Sequence, residues 1–213
     1  MGLVYHLAVN LTKFVASNFF RLQIHGRENA IEEGPALLAM NHQSFLDPPL
    51  AALCCDREIH FLARKSLFNA PVIGSLLHHL NVIGVERDGA DMTALKTVIR
   101  LVKGGGCTII FPEGTRTRDG QLQPAQSGVG LVIAKTLAPI VPIRVFGAFE
   151  AFPRSSKFPR RKTISLVVGK PIRFTPADLI GNSRTVYQNL SEEVMRRIGS
   201  LQLPDASNQS EVE

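Results

Sequence analysis

A histidine and an aspartate five residues apart are the first pair in this chain that could do proton chemistry. They stand in NHQSFLD (41–47), directly behind the apolar run PALLAM (35–40) and directly before Pro48 and Pro49. On an ideal helix five positions rotate by about 140°, so His42 and Asp47 could not share a face. The prolines offer a way out. Proline suits the first turn of a helix and aspartate its N-cap, so Asp47-Pro48-Pro49 reads as a helix start. His42 then lies in the loop leaving the preceding strand. A loop folded back on itself would bring the Asp47 carboxylate to one imidazole nitrogen. That contact would fix the tautomer, stabilise the imidazolium and leave the other nitrogen free as a general base. A capping aspartate beside an incidental exposed histidine is the plainer alternative, and this motif alone leaves both open.

The second candidate is FPEGTRTRDG (111–120), which follows the apolar run CTII. Loops at strand ends are where α/β proteins place ligands. Gly114 permits close backbone approach, Thr115 offers a hydroxyl, and Arg116 offers a bidentate fork suited to phosphate. Glu113, set among basic residues, reads as a holder for Arg116 or for a substrate hydroxyl. Arg118-Asp119-Gly120 reads as a turn.

Together these residues resemble the glycerolipid acyltransferases, the lysophosphatidic acid acyltransferase-like group. That family's first motif, a histidine, four residues and an aspartate, is matched by His42 and Asp47. Its Phe-Pro-Glu-Gly-Thr-Arg-Ser motif is matched by Phe111 through Arg116, with Thr117 for the final serine. Its middle motif, Gly-x-x-Phe-Ile-x-Arg, is matched in part by NVIGVER (81–87). Asn81 stands for the glycine, Gly84 for the phenylalanine and Val85 for the isoleucine, while Arg87 is kept. The Val-Pro strand is matched by VPIRVFG (141–147), and ARKSLFNAPVIG (63–74) looks like the family's linking segment, with Lys65 at its basic position. Gln126-Ser127-Gly128 departs from the lysine that usually precedes this glycine. The resemblance spans roughly residues 35–175.

The resemblance implies transfer of a fatty acyl group to the hydroxyl of a lysophospholipid such as 1-acyl-sn-glycerol 3-phosphate. The donor would be acyl-CoA or acyl carrier protein, and no further cofactor is needed. His42, held by Asp47, would take the hydroxyl proton. Lys65, Arg87, Glu113, Gly114, Thr115 and Arg116 would bind substrate, with Arg87, Glu113 and Arg116 on the acceptor phosphate or its glycerol. No acyl-enzyme is required, and GxSxG is absent, which counts against a serine hydrolase. A non-catalytic lipid-binding module on the same fold is the reading from another class. Intact His42, Asp47, Glu113 and Arg116 count against it, because a pure binder needs no general base.

These residues must be carried by a scaffold, and its elements alternate. Short strands are expected at LQIHG, PALLAM, EIHFLA, NVIGVER, CTIIF, PIVPIRVFG and KTISLVVG. Helices are expected over 49–55, over 65–80 with a break at Pro71, and over 91–106 with Asp91 as cap and glycines as stop. Two more are expected over 127–137 and 183–201. Strand–helix alternation predicts a single α/β layered domain over residues 23–203, with a mixed, mostly parallel sheet flanked by helices. The polar tail from Pro204 reads as disordered.

Residues 1–22 read as an N-terminal amphipathic helix. Leu3, Val4, Leu7, Ala8, Leu11, Phe14, Val15, Phe19 and Leu22 recur at helical spacing, with His6, Asn10, Lys13, Ser17 and Arg21 opposite. Lys13 interrupts the run short of the roughly 20 apolar residues a span needs. Nor does a basic n-region precede it, as a signal peptide would require. The helix either packs on the domain or lies in a membrane interface. The formal charge of +6 favours anionic partners, a membrane surface included. The densest basic run, RSSKFPRRK (154–162), is either a solvated loop or a contact for anionic headgroups or donor phosphates. No nucleic-acid motif is present, and aromatics do not interleave with the basic residues. Cys54, Cys55 and Cys107 form no pairing framework, which points to a reducing cytosol and argues against zinc; the adjacent His78 and His79 lack ligand spacing. The expected location is peripheral, on the cytoplasmic face of a membrane.

Overall fold

A computed structural model describes residues 2–85 and 92–204 of the chain. The described chain opens with α1 (Leu3–Phe19), β1 (Gln23–His25), β2 (Ala36–Met40), α2 (Asp47–Ala51) and β3 (Phe61–Arg64). It continues with α3 (Pro71–His78), β4 (Val82–Val85), α4 (Met92–Lys103), β5 (Cys107–Ile110) and α5 (Ser127–Thr136). It ends with β6 (Ile140–Phe146), α6 (Ala148–Ala151), β7 (Ser165–Val168) and α7 (Ser183–Ser200). The expected cap Asp91, the motif residue Arg87 and the tail from residue 205 lie outside the described residues.

β1, β7, β6, β2 and β5 stand side by side in that order. Each neighbouring pair is parallel except β6 with β7, which is antiparallel. β3 and β4 form a parallel pair, and a parallel bridge between His60 and Thr108 sets that pair beside β5. The sheet is thus mixed and mostly parallel, as strand–helix alternation predicts.

β2 lies between β5 and β6, and all five of its residues are buried. A strand covered on both faces must be apolar at every position, which is why ALLAM shows no alternation of polarity. Its side chains divide between two cores. Ala36, Leu38 and Met40 pack in the layer that contains Tyr5, Phe20, Leu50 and Leu53 from α1, α2 and their flanks. Leu37 and Ala39 face the opposite layer, with Val98 of α4, Val132 and Ile133 of α5, and Val194 and Ile198 of α7. α5 and α7 touch closely because Gly130 has no side chain: a Cβ there would stand 1.8 Å from the Tyr187 carbonyl oxygen.

Helix α2 is shorter than expected, ending at Ala51 and giving way to a 3-10 turn over Ala52–Cys54. The break expected at Pro71 is present: Pro71 begins α3, and Lys65–Asn69 before it form a separate 3-10 segment.

Helix α1 is attached by few residues. Tyr5 and Ala16 are buried, and the Tyr5 hydroxyl accepts a hydrogen bond from the Ile59 N–H at 3.0 Å. The apolar stripe expected from the periodicity points the other way. Leu3, Leu7, Leu11 and Phe14 are 60–74% exposed. Among the described residues no helix is long and apolar enough to cross a membrane.

Candidate active site

The site forms where β2 and β5 end, at the carboxyl edge of the parallel strands, where open α/β sheets place their ligands. The loop after β2 folds back as the His–Asp spacing requires. His42 Nδ1 lies 2.8 Å from Asp47 Oδ2. The same oxygen accepts the backbone N–H groups of Gln43 at 2.6 Å and Ser44 at 2.7 Å. Asp47 therefore does not cap α2 with its side chain; it stands inside the helix's first turn, and its carboxylate turns back to close the loop. With Nδ1 engaged, Nε2 is the ring nitrogen left for chemistry. The imidazole is largely covered, with 17% of its side chain exposed, and it stacks on Phe111 at 3.9 Å between ring centres.

Burial pushes the Asp47 carboxyl up from its ordinary value, opposed by the His42 hydrogen bond and charge and by the Ser44 and Gln43 N–H groups.

Other residues of NHQSFLD hold the loop. Asn41, 1% exposed, splices it to β6: its Oδ1 accepts the Val145 N–H at 2.8 Å, and its Nδ2 donates to the Val145 carbonyl at 3.3 Å. Gln43 donates to the Gly120 carbonyl and accepts from the Phe149 N–H, each at 3.3 Å. The Ser44 hydroxyl donates to the Phe152 carbonyl at 2.8 Å. Phe45 lies under the Arg116 guanidinium, with Cζ 3.4 Å from the ring centre. The motif reading gives Asn41, Gln43 and Phe45 no role. Their signal in the sequence is a pair of polar amides and an aromatic directly behind a buried strand.

The loop after β5 supplies the second half. Glu113 departs from its expected role. Its Oε1 accepts the His42 backbone N–H at 2.8 Å and its Oε2 accepts the Gln123 N–H at 3.1 Å, so it holds the histidine loop and not Arg116. The reason is burial. Glu113 is 3% exposed, and its carboxyl must satisfy donors that stand beside it. Burial, with a contribution from the Asp47 charge, pushes this carboxyl up to about 7. The Thr117 N–H donates to the His42 carbonyl at 2.8 Å, a second tie between the loops. Gly114 has φ 68°, in the left-handed region that glycine alone enters freely, and its N–H closes the turn on Phe111. Thr115 is exposed on that turn. The expected turn at 118–120 is present: the Thr117 hydroxyl donates to Asp119 Oδ1 at 2.8 Å and accepts the Gly120 N–H at 3.1 Å.

Arg116 is half-buried, and its Nη1 is buried without an acceptor among the described residues. Burial first, then the charges of Arg154 and Arg64, lower its affinity for the proton. Arg64 and Arg154 thus act electrostatically on Arg116, and neither carries a motif signal. Arg64 ends β3, beside the expected Lys65, which is exposed at the start of the following 3-10 segment. Asn81 and Gly84, where the middle motif is altered, have local causes. Asn81 sits at φ 55°, a conformation that glycine and asparagine tolerate, and a Cβ on Gly84 would stand 3.3 Å from the Phe68 ring.

Other candidates from the sequence are engaged elsewhere. His79 Nδ1 lies 2.9 Å from the Ser75 carbonyl, and His78 stands edge-on to Phe68. The three cysteines are free and buried.

Comparison with known proteins places this geometry. The fold matches that of the 1-acyl-sn-glycerophosphate (LPA) acyltransferase PlsC from Thermotoga maritima, with a TM-score of 0.71 and 21% identity over 94% of this chain and 80% of that one. The chain is 33% identical over 166 residues to the chloroplastic 1-acyl-sn-glycerol-3-phosphate acyltransferase BAT2 of Brassica napus, covering 76% of this chain and 48% of the relative. It is 26% identical over 170 residues to the 1-acyl-sn-glycerol-3-phosphate acyltransferase of Bacillus subtilis, covering 79% and 82%. The chain spans about half the length of the chloroplast relatives it matches. The family model described as Acyltransferase matches residues 21–146, more than half of the sequence, and both loops that meet at His42 lie inside that match. The chain belongs to the acyltransferase family.

Proposed function

We propose that the chain transfers a fatty acyl group from an acyl thioester to the free hydroxyl of a lysophospholipid, 1-acyl-sn-glycerol 3-phosphate, in phospholipid synthesis. The observation that carries this is the pairing of His42 Nδ1 with buried Asp47, beside an arginine whose buried Nη1 has no acceptor among the described residues. A base and an anion site side by side suit an alcohol that carries a phosphate. The relatives named above are enzymes for that acceptor.

The steps follow from the atoms. The acceptor phosphate pairs with Arg116, with Arg64 and Lys65 nearby and Arg87 assigned by its motif. The acceptor oxygen attacks the thioester carbonyl carbon as His42 Nε2 takes the hydroxyl proton. The new imidazolium faces Asp47 across the 2.8 Å contact, which offsets its charge. Collapse of the tetrahedral intermediate breaks the carbon–sulfur bond, and His42 returns the proton to the leaving thiolate. Glu113 acts one step back, by fixing the His42 backbone.

An acceptor embedded in a bilayer requires the site to meet that surface. The exposed stripe Leu3, Leu7, Leu11 and Phe14 on α1 supplies apolar insertion, and Phe158, 77% exposed, stands in the basic run 154–162. Arg161 of that run reaches the Asn18 carbonyl at the end of α1 at 3.5 Å, so stripe and charge adjoin. Apolar contact plus basic charge is the dual signal that stable peripheral binding needs. Free, buried cysteines suit the reducing, cytoplasmic side.

The test is an acyl-transfer assay with purified protein across a panel of lyso-acceptors, with acyl-CoA and with acyl carrier protein. Transfer to 1-acyl-sn-glycerol 3-phosphate that disappears in His42→Ala is expected. Transfer that survives in a folded His42→Ala variant would remove the assigned base.

A further inference from the structure

A cleft of about 400 Å³ opens beside the histidine loop, lined by Thr117, Arg118, Phe149, Pro153, Arg154 and Ser155. That size is within the range of small-molecule sites. Its two walls are latched to the loop through one side chain: Gln43 donates to the Gly120 carbonyl on one side and accepts the Phe149 N–H on the other. Thr117 is tied to the His42 carbonyl as well. The walls of the cleft are therefore tied to the backbone and the Gln43 side chain of the loop that carries His42.

Its charge is uncompensated. Asp119 is the nearest acid in sequence to Arg118, but its Oδ1 turns inward, accepting the Thr117 hydroxyl at 2.8 Å and the Gln121 N–H at 3.0 Å. Among the described residues no carboxylate pairs with Arg118 or Arg154. Two such guanidinium forks against a phenylalanine and a proline suit a phosphate joined to a less polar arm. Arg154 also acts on Arg116, so the cleft and the Arg116 position adjoin without coinciding. The reaction brings two phosphate-bearing molecules to one base. Arg116, seated on Phe45 and outside the cleft lining, serves one, which leaves the cleft for the other.

We propose that the Arg118–Arg154 cleft holds the phosphate of a phosphopantetheine thioester donor, the arm common to coenzyme A and acyl carrier protein. Phe149 and Pro153 lie along that arm. This rests on the acyl-transfer reading, and the test separates the two.

Binding to the full chain is read by calorimetry, independently of turnover, with 4′-phosphopantetheine and with pantetheine, which lacks only the phosphate. The phosphorylated probe should bind at least about tenfold more tightly. Arg118→Gln and Arg154→Gln should each remove most of that preference, whereas Arg184→Gln, on the exposed start of α7, should leave it intact. Equal binding of the two probes, or an undiminished preference in both cleft variants, would overturn the proposal. In turnover, Arg118→Gln should raise the donor KM and leave the acceptor KM unchanged. Measured with acyl-CoA and with acyl carrier protein, the donor whose KM responds is the source of the arm. A raised acceptor KM with an unchanged donor KM would give the cleft to the acceptor and sink the idea. If no acceptor is acylated at all, the functional reading fails while the calorimetry still decides the cleft.

Discussion

The Glu113 carboxylate accepts the backbone N–H of His42 at 2.8 Å, across 71 residues of sequence. It joins the ends of β2 and β5, so the position of His42 depends on an acid that does not touch its ring. Glu113→Gln would set an amide NH2 against one of two backbone donors. A buried unsatisfied donor costs about 1–3 kcal/mol, and the variant should lose that much stability by denaturant unfolding. Its kcat should fall with the acceptor KM little changed, which a loss of acceptor contacts would not produce.

The same carboxyl gives a pH signature. Burial raises it from 4.5 to about 7. A carboxyl whose folded value lies above its unfolded value binds the proton more tightly in the native state. Its stabilising contribution is complete below about 4.5 and is lost as pH rises through about 7. The melting temperature of the native chain should therefore fall relative to that of Glu113→Gln across that window. A constant difference between the two would show that Glu113 does not titrate there.

Asp47→Asn should be severe in a different way. The three donors on Asp47 Oδ2 can still find a carbonyl oxygen, while the amide NH2 takes the place of Oδ1, buried without a partner among the described residues, at a cost of about 1–3 kcal/mol of stability. The negative charge beside Nδ1 is gone, and kcat should drop on the order of 10²–10⁴ while circular dichroism is unchanged. A native kcat would remove Asp47 from the mechanism.

Phe45 is a platform for Arg116, and the stack is testable apart from the charge. Phe45→Leu removes a cation–π contact worth about 0.5–2 kcal/mol, so the acceptor KM should rise about 2- to 30-fold. Arg116→Lys keeps the charge but loses the fork, and should raise the same KM. A rise in the donor KM instead would move Arg116 to the donor.

Helix α1 separates two kinds of change. Leu11→Glu and Phe14→Glu alter side chains that are 63% and 67% exposed, so the fold should hold while flotation with anionic vesicles is lost. Tyr5→Ala removes a buried ring and the acceptor of the Ile59 N–H, and should cost roughly 2–5 kcal/mol of stability. Undiminished flotation of both glutamate variants would return α1 to a packing role.

The His42–Asp47 contact is one of the two arrangements the residues themselves allow, because both lie in one short loop bounded by a buried strand and two prolines. Loop closure over so few residues leaves few conformations, and local sequence can specify them. The strands are legible for a related reason: a strand covered on both faces must be apolar throughout, as ALLAM and CTII nearly are. The role of Glu113 is not legible. Its charge beside Arg116 in sequence suggests a local ion pair, but its partners are backbone N–H groups, which carry no sequence signature. Arg64 and Arg154 are hidden likewise, since they stand 52 and 38 residues from Arg116 and only their joint action on it reveals the cluster.

Helix α1 shows where the division falls. Its periodicity, Leu3, Leu7, Leu11 and Phe14, follows from the residues alone, because helical spacing is a property of the local backbone. Which way that stripe faces is a contest between burying it and burying Tyr5, Val9 and Ala16. The tertiary structure decides for the second, because Tyr5 finds a hydrogen-bond partner at Ile59 and small Ala16 fits closely against the core. Local sequence set the elements and the residues of the loop; long-range packing set which charges meet and which apolar face stays exposed.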